Sequence, residues 1–309
     1  MSLTERVRDG LRAVGSAMPE PLRRALRPAA RAVGLAARPG EWWNVDRPPW
    51  APPGRDELAD EVHCNICRWH GEEFLGGAHV EAATCPRCGA IGRDRFLLHC
   101  FLSRTSSPRG KRVLETSPRL GGEYRAMMRR HFAYRASDFD LSAHRADIQI
   151  DLQQIALPDS SVDILLTPHV LEHVPVTGDA IREIARVLAP EGRMYLQVPL
   201  CEGVTVPPSK PEFHADDTPV FWHFGWDLTD SLRDAGLRTT VLVTTAFADL
   251  LTARVPVPAD FGDGFDLASL VEHARPRDLT IVADEELAHR LGFLPGHQFA
   301  TWECVKDRR

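Results

Sequence analysis

From Lys111 to Lys306 the chain alternates strand-like and helix-like stretches, and that rhythm limits its fold more than any other feature. "KRVLETS" (111–117) reads as a strand, "GGEYRAMMRRHF" (121–132) as a helix and "AYRASDF" (133–139) as a strand. "ADIQIDL" (146–152) and "SVDILLTP" (161–168) are strands. "GDAIREIARVLAPEG" (178–192) follows as a helix, with Ile181, Ile184, Ala185 and Leu188 on one face and Gly192 near its C-terminal stop. "RMYLQVPL" (193–200) is a strand, "DLTDSLRDAGL" (227–237) a helix ending at Gly236, and "RTTVLVTT" (238–245) a strand. "FATWECVK" (299–306) closes the chain as a last strand, while 250–297 breaks the rhythm as an insertion. Strands alternating with helices predict an α/β fold, a mostly parallel sheet with helices on both faces.

Ahead of this segment, residues 64–96 ("CNICRWHGEEFLGGAHVEAATCPRCGAIGRDRF") hold four of the chain's seven cysteines. Cys64, Cys67, Cys85 and Cys88 follow the spacing C-x2-C-x17-C-x2-C, which fits a four-cysteine zinc site. Each two-residue gap allows a tight turn that aims both thiolates at one ion. Gly89 suits the second turn, where amides approach sulfur without a Cβ in the way, whereas the first pair is followed by Arg68. Four thiolates fill a tetrahedral shell, so the Zn2+ would be structural. The rival readings are a redox dithiol pair and buried cysteines without a ligand. His63 and His70 are possible substitute ligands that read better as surface residues. "GRDRFLLHCFLSR" (92–104) reads as a helix leaving the module, with Phe96, Leu97, Cys100 and Phe101 on one side.

Charge narrows the partners. The net charge is -6, yet residues 1–40 carry eight Arg against Glu5, Asp9 and Glu20, so the tail is +5 and the remainder -11. An acidic body disfavours a large nucleic-acid surface, and 60–110 balances six Arg with six acidic residues. The basic extension, 1–48, has short amphipathic patterns interrupted by Pro21 and Pro28. It reads as a loosely ordered tail, or as an interfacial contact through 1–40 with an anionic membrane or acidic partner. No apolar run approaches the roughly 20 residues of a membrane span. Odd cysteine number and metal-like spacing point to a reducing compartment, the cytoplasm. The organisation expected is an extension at 1–48, the module and its connecting helix at 49–105, and one α/β domain at 106–309.

"RVLETSPRLGG" (112–122) has the placement of a nucleotide-binding turn, strand then loop then helix start, but few glycines. Ser117 and Arg119 stand where glycines would be expected. Asp138, 23 residues past Glu115 and at the end of the next strand, can take both hydroxyls of a ribose. Asp151 ends the third strand. The stretches "DLQQIALPDSSVDILLTPHVLEHV" and "REIARVLAPEGRMYLQVPL" resemble the class I S-adenosylmethionine-dependent methyltransferases of the type 11 kind, with a Rossmann-like sheet. "CPRCGAIGRDRFLL" followed by "VLETSP" is similar to a bacterial subgroup with a zinc-ribbon-like module before that domain. Its strings run "CPxCGSxxRxR" and "VLxxAPE"; Ser117 and Pro118 match, and Arg119 departs from the Glu.

The resemblance implies S-adenosyl-L-methionine as cofactor. Glu115 stands where an acid helps hold the methionine end, with Ser117 and Gly121 lining the turn beneath it. Asp138 matches the ribose-binding acid, and Asp151 with Leu152 the adenine-contacting pair. Pro168 and His169 face the methyl group in similar enzymes. His169 and His173, spaced i and i+4 beside Glu172, are the candidate bases, and His173 is the one chosen. His214, His223, Trp222 and Trp226 lie where a substrate wall is expected, with core packing the alternative for the tryptophans. The reading is in-line methyl transfer to oxygen or nitrogen of a small-molecule or saccharide acceptor. A methyltransferase-like scaffold with a weak turn is the alternative. A nicotinamide-dependent oxidoreductase is disfavoured by the missing G-x-G-x-x-G loop.

Overall fold

The computed structural model describes residues 62–67, 69–71, 74–76, 83–105, 110–201, 203–214, 217–244, 279–282 and 300–308. The basic extension, the connector after it and most of 250–297 lie outside the described residues. Two short strands, β1 (Val62–His63) and β2 (His70–Gly71), pair antiparallel around the first cysteine turn. Helix α1 (Gly92–Arg104) leaves the module, and strand β3 (Arg112–Thr116) opens the main sheet.

After it come α2 (Gly122–His131), β4 (Ala133–Asp138), β5 (Ile148–Gln149) and β6 (Val162–Pro168). A 3-10 turn at Leu171–His173 precedes α3 (Thr177–Val187), β7 (Leu188–Gln197) and the hairpin of β8 (Glu212–Phe213) with β9 (Pro219–Val220). The chain ends through α4 (Leu228–Asp234), β10 (Leu237–Thr244), β11 (Leu279–Val282) and β12 (Thr301–Lys306). Among the described residues the sheet has eight strands in the order β11-β10-β12-β7-β6-β3-β4-β5. The run from β7 to β5 is parallel, and β12 enters antiparallel between β7 and β10. The fold is therefore Rossmann-like and mostly parallel, as the alternation predicts. Within the stretch read as an insertion, β11 adds an antiparallel edge strand to β10.

Alternate side chains leave each strand for opposite faces, so two cores form. Leu114, Leu165, Met194, Leu196 and Val241 point to the layer of α3 and α4. Val113, Leu166, Tyr195 and Leu242 point to α1 and α2. At 11 residues α3 is too short to be stable alone; burial of Ala180, Ile181, Ile184 and Val187 holds it, at about 1.5–3 kcal/mol for each large side chain. The expected stop near Gly192 is corrected: the helix ends at Val187, because Pro190 cannot continue it and the chain turns into β7. Residues 189–192 bulge between the pairs Val162↔Leu188 and Ile164↔Arg193. Gly192 serves that bulge, since a Cβ there would lie 2.7 Å from the Ala189 carbonyl oxygen.

The cysteine module shares a core with the α1 layer: Cys64, Ile66, Phe74 and Ala90 pack with Phe96 and Phe101. Arg95 makes the join. Its buried guanidinium donates to the Ala90 carbonyl at 2.7 Å and the Ala83 carbonyl at 2.9 Å, and lies 3.7 Å over the Phe74 ring. Among the described residues no helix is long and apolar enough to cross a membrane.

Candidate active site

Strand order reverses between β3 and β6: one run leads outward through β4 and β5, the other through β7. In open α/β sheets ligands bind at the carboxyl ends of the strands beside such a reversal. Here Thr116 and Thr167 meet across it, hydroxyl to hydroxyl at 3.0 Å. Asp138 and Pro168 end their strands, and Ser117, Asp151 and His169 come just past the carboxyl ends of theirs, all in neighbouring parallel strands.

Ser117 takes a left-handed backbone (φ 46°), the conformation glycine would adopt without cost, and its amide donates to the Ser137 carbonyl at 2.7 Å. The turn is open above its glycines. A Cβ on Gly121 would meet only a Glu123 oxygen at 3.8 Å, and one on Gly122 nothing within 4 Å, so there is open space over the turn. Asp138 accepts a hydrogen bond from His144 Nδ1 at 2.7 Å and one from the Asp140 amide at 3.1 Å. Burial opposes its charge, but His144, that amide and the Ser117 hydroxyl together hold the carboxyl below its usual value. Asp138 is thus ionised and oriented. Asp151 accepts the Gln153 amide at 2.8 Å within its own turn, while Leu152 is buried in the core under α3.

Glu115 sits lower than its neighbours. It is buried, its carboxylate accepts the Tyr134 hydroxyl at 2.7 Å, and burial pushes its pKa up to about 7 despite Tyr134 and Tyr124.

Past β6 the structure corrects the helical spacing expected of the histidines. His169 has a left-handed backbone (φ 51°), and only the single turn Leu171–His173 separates it from His173. Nδ1 of His169 lies 3.6 Å from Glu172 Oε1, and Nε2 of His173 lies 3.9 Å from the same oxygen. Burial, with positive Arg93 nearby, pushes the His169 ring well below the ordinary histidine value, so it is neutral. Burial pushes Glu172 the other way, up to about 8. His173 Nδ1 donates to the Pro219 carbonyl at 2.7 Å, which directs the lone pair of the neutral ring to Nε2. The His214 ring stands edge-on to it at 4.7 Å. Thus the β8–β9 hairpin closes over the turn, and Phe221 adds an amide bond to the Glu172 carbonyl at 2.8 Å. Trp226 is buried in the core, whereas Trp222 is half-buried and donates to the Val174 carbonyl at 3.1 Å. Glu172 and Gln197 lie beside Pro168 and His169 and are not among the candidates that the sequence singles out. Their signal was a polar residue inside an apolar run, in "HVLEHV" and "YLQVPL".

The four cysteines of the module converge. Cys64 and Cys88 sulfurs are 3.7 Å apart, Cys67 and Cys85 sulfurs 3.5 Å, and all four lie within 4.8 Å of one another. Tetrahedral zinc at about 2.3 Å sets sulfurs about 3.8 Å apart, so this donor set fits the ion. Both turns repeat one backbone bond: Cys64 N–H to the Trp69 carbonyl and Cys85 N–H to the Ala90 carbonyl, each at 2.8 Å. Gly89 has a φ of 76°, the freedom that its turn requires. Hydrogen bonding to neighbouring thiols, Cys64 first, pushes the Cys67 thiol up. The side chains of His63 and His70 lie outside the described residues.

Residues 121–196 match the family model described as a methyltransferase domain. Solved structures resemble the chain at low identity. A 1,6-didemethyltoxoflavin-N1-methyltransferase of Burkholderia thailandensis, solved with S-adenosylhomocysteine, is 13% identical over 70% of this chain and 78% of its own, with a TM-score of 0.40. An S-adenosylmethionine-dependent methyltransferase of Mesorhizobium loti is 14% identical over 68% and 98%, at 0.41. The [4+2]-cyclase SpnF is 16% identical over 70% and 82%, at 0.39. No curated protein matches the chain.

Proposed function

We propose that this chain, whose residues 121–196 match a methyltransferase domain, is an S-adenosylmethionine-dependent methyltransferase that methylates an oxygen or nitrogen of a small-molecule or saccharide acceptor. The observation that carries the reading is the row of Ser117, Asp138, Asp151 and His169 at neighbouring strand ends beside the reversal of strand order.

S-adenosylmethionine, when bound, supplies an electrophilic methyl group. Ser117 and Gly121 would floor its methionine end, Asp138 would accept its ribose hydroxyls, and Asp151 with Leu152 would border the adenine. Glu115 would act from below, supporting the turn through its position under Ser117. Pro168 and His169 would face the methyl group. Rate would come mainly from holding acceptor and methyl group in line. His173 Nε2 would take the acceptor's proton, since Nδ1 is committed to the Pro219 carbonyl and locks the ring. The half-buried Trp222 and the exposed His214 offer aromatic faces to a ring-shaped acceptor.

Cys64, Cys67, Cys85 and Cys88 would hold a structural Zn2+, a reading supported by their sulfur spacing. No disulfide joins any of the seven cysteines, which supports a reducing, cytoplasmic setting. Organisation into 1–48, 49–105 and 106–309 stays our proposal, with β3 as the first strand of the catalytic domain.

Calorimetry tests the reading. S-adenosylmethionine and S-adenosylhomocysteine are expected to bind one per chain, and Asp138→Asn to weaken both at least about tenfold through two lost charge-assisted bonds. Heat with NAD alone would turn the assignment to an oxidoreductase, and no heat with any of the three to a scaffold.

A further inference from the structure

Five buried side-chain nitrogen and oxygen atoms without a hydrogen-bond partner among the described residues belong to three residues at one spot. They are Nδ1 and Nε2 of His169, both carboxylate oxygens of Glu172, and Oε1 of Gln197. The side chains are 7%, 1% and 0% exposed respectively. The chain brings them together from two neighbouring strands: Pro168 pairs with Gln197, and the His169 amide donates to the Gln197 carbonyl at 2.8 Å. Arg93 of α1 borders all three, by its carbonyl to Gln197 and by its charge to His169 and Glu172. Unpartnered buried polar atoms are costly, about 1–3 kcal/mol each, so a cluster of them at a strand-end crevice marks a place that a ligand completes.

Atom types identify the ligand. Gln197 Nε2 donates to the Thr301 hydroxyl at 3.0 Å and the Arg93 carbonyl at 3.4 Å, which orients the amide and leaves Oε1 as an acceptor. Glu172, which keeps its proton at neutral pH, contributes one donor and one acceptor, and so does a neutral His169. An ammonium only donates and would leave the imidazole N–H alone. A carboxylate or a fully ionised phosphate only accepts and would leave Gln197 Oε1 alone. A hydroxyl donates and accepts through one oxygen, so two neighbouring hydroxyls can satisfy all three side chains.

We infer that His169, Glu172 and Gln197 form the subsite that grips a vicinal diol of the acceptor, making the acceptor a polyol or saccharide. This rests on the proposed methyl transfer for its place in the reaction, but not for its ligand chemistry.

Saturation-transfer NMR on the full chain, with and without S-adenosylhomocysteine, tests it with myo-inositol, D-glucose, spermidine and inorganic phosphate as probes. Transfer to inositol or glucose is expected, falling at least about fivefold in Gln197→Met and in Glu172→Met, with calorimetric S-adenosylhomocysteine binding kept within about twofold. No transfer to either polyol, transfer only to spermidine or phosphate, or equal transfer in both variants would overturn the subsite. Should either variant fail to fold, wild-type crystals soaked in myo-inositol decide. Hydroxyl oxygens within about 3.2 Å of Gln197 and Glu172 support the proposal, and ordered water alone sinks it. Polyol binding without any S-adenosylhomocysteine binding would refute the methyltransferase reading while leaving the subsite standing.

Discussion

Arg119 reaches from the turn after β3 to the Gly89 carbonyl, 3.1 Å away in the second cysteine turn. The same guanidinium pairs with Asp94, which also accepts the Ile91 amide at the start of α1. The segment that floors the proposed cofactor site is therefore fastened to the cysteine module. The residue that departs from the pattern of similar sequences, Arg for Glu, is the fastener.

Arg119→Ala should weaken S-adenosylhomocysteine binding about two- to fivefold, because a half-exposed pair contributes only about 0–1 kcal/mol. Zinc content should not change. Calorimetry beside elemental analysis checks both, and an affinity equal to wild type would show that module and turn act independently.

Replacing a module ligand should do more. Cys67→Ser is expected to bring zinc below about half an equivalent per chain, since metal binding is the folding free energy of so small a unit. A melting temperature about 6–12 °C lower would correspond to a loss of roughly 3 kcal/mol in a domain of this size. Unchanged melting with zinc absent would leave the ion without a structural role.

Glu115 gives a pH signature with a definite sign. Its folded pKa, about 7, lies above the ordinary carboxyl value of 4.5. Between these values the unfolded chain gives up a proton that the folded chain keeps, so stability falls as pH rises through that window and is level above it. The loss amounts to up to about 3 kcal/mol. Glu115→Gln removes it and can still accept the Tyr134 hydroxyl. Thermal melts should therefore coincide with wild type near pH 5 and lie about 5–10 °C higher at pH 8. A variant less stable than wild type at pH 8 would mean that the ionised carboxylate is the favoured form.

His173→Gln should lower the single-turnover methylation rate about 10²–10⁴-fold, the range for loss of a positioned base. Cofactor affinity should stay unchanged, and raising the pH should partly restore the rate for an acceptor that can ionise unaided. A rate within about twofold of wild type would make His173 a structural link between the turn and Pro219.

Parts of this were legible in the sequence because they are local. The cysteine turns need only two-residue gaps and a glycine at Gly89, and "SVDILLTP" and "FATWECVK" carry strand patterns whatever surrounds them. The stop of α3 was misplaced by four or five residues, because Pro190 and Gly192 serve a bulge against Val162, a partner far away in sequence. The spacing of His169 and His173 suggested one helix face, but a left-handed residue and a single tight turn intervene. Likewise, His144 gives no sign in sequence that it will hold Asp138.

By itself, then, the sequence determined the alternating α/β layers, the four-cysteine cluster and the order in which strand-end acids appear, since each follows from the period or spacing of nearby residues. Only the tertiary structure decided which polar groups lose contact with water. Glu115, Glu172 and Gln197 are ordinary surface-type residues until β3, β6, β7 and α1 close around them. A group's charge and its hunger for a partner depend on neighbours supplied by distant parts of the chain, and no local pattern encodes those.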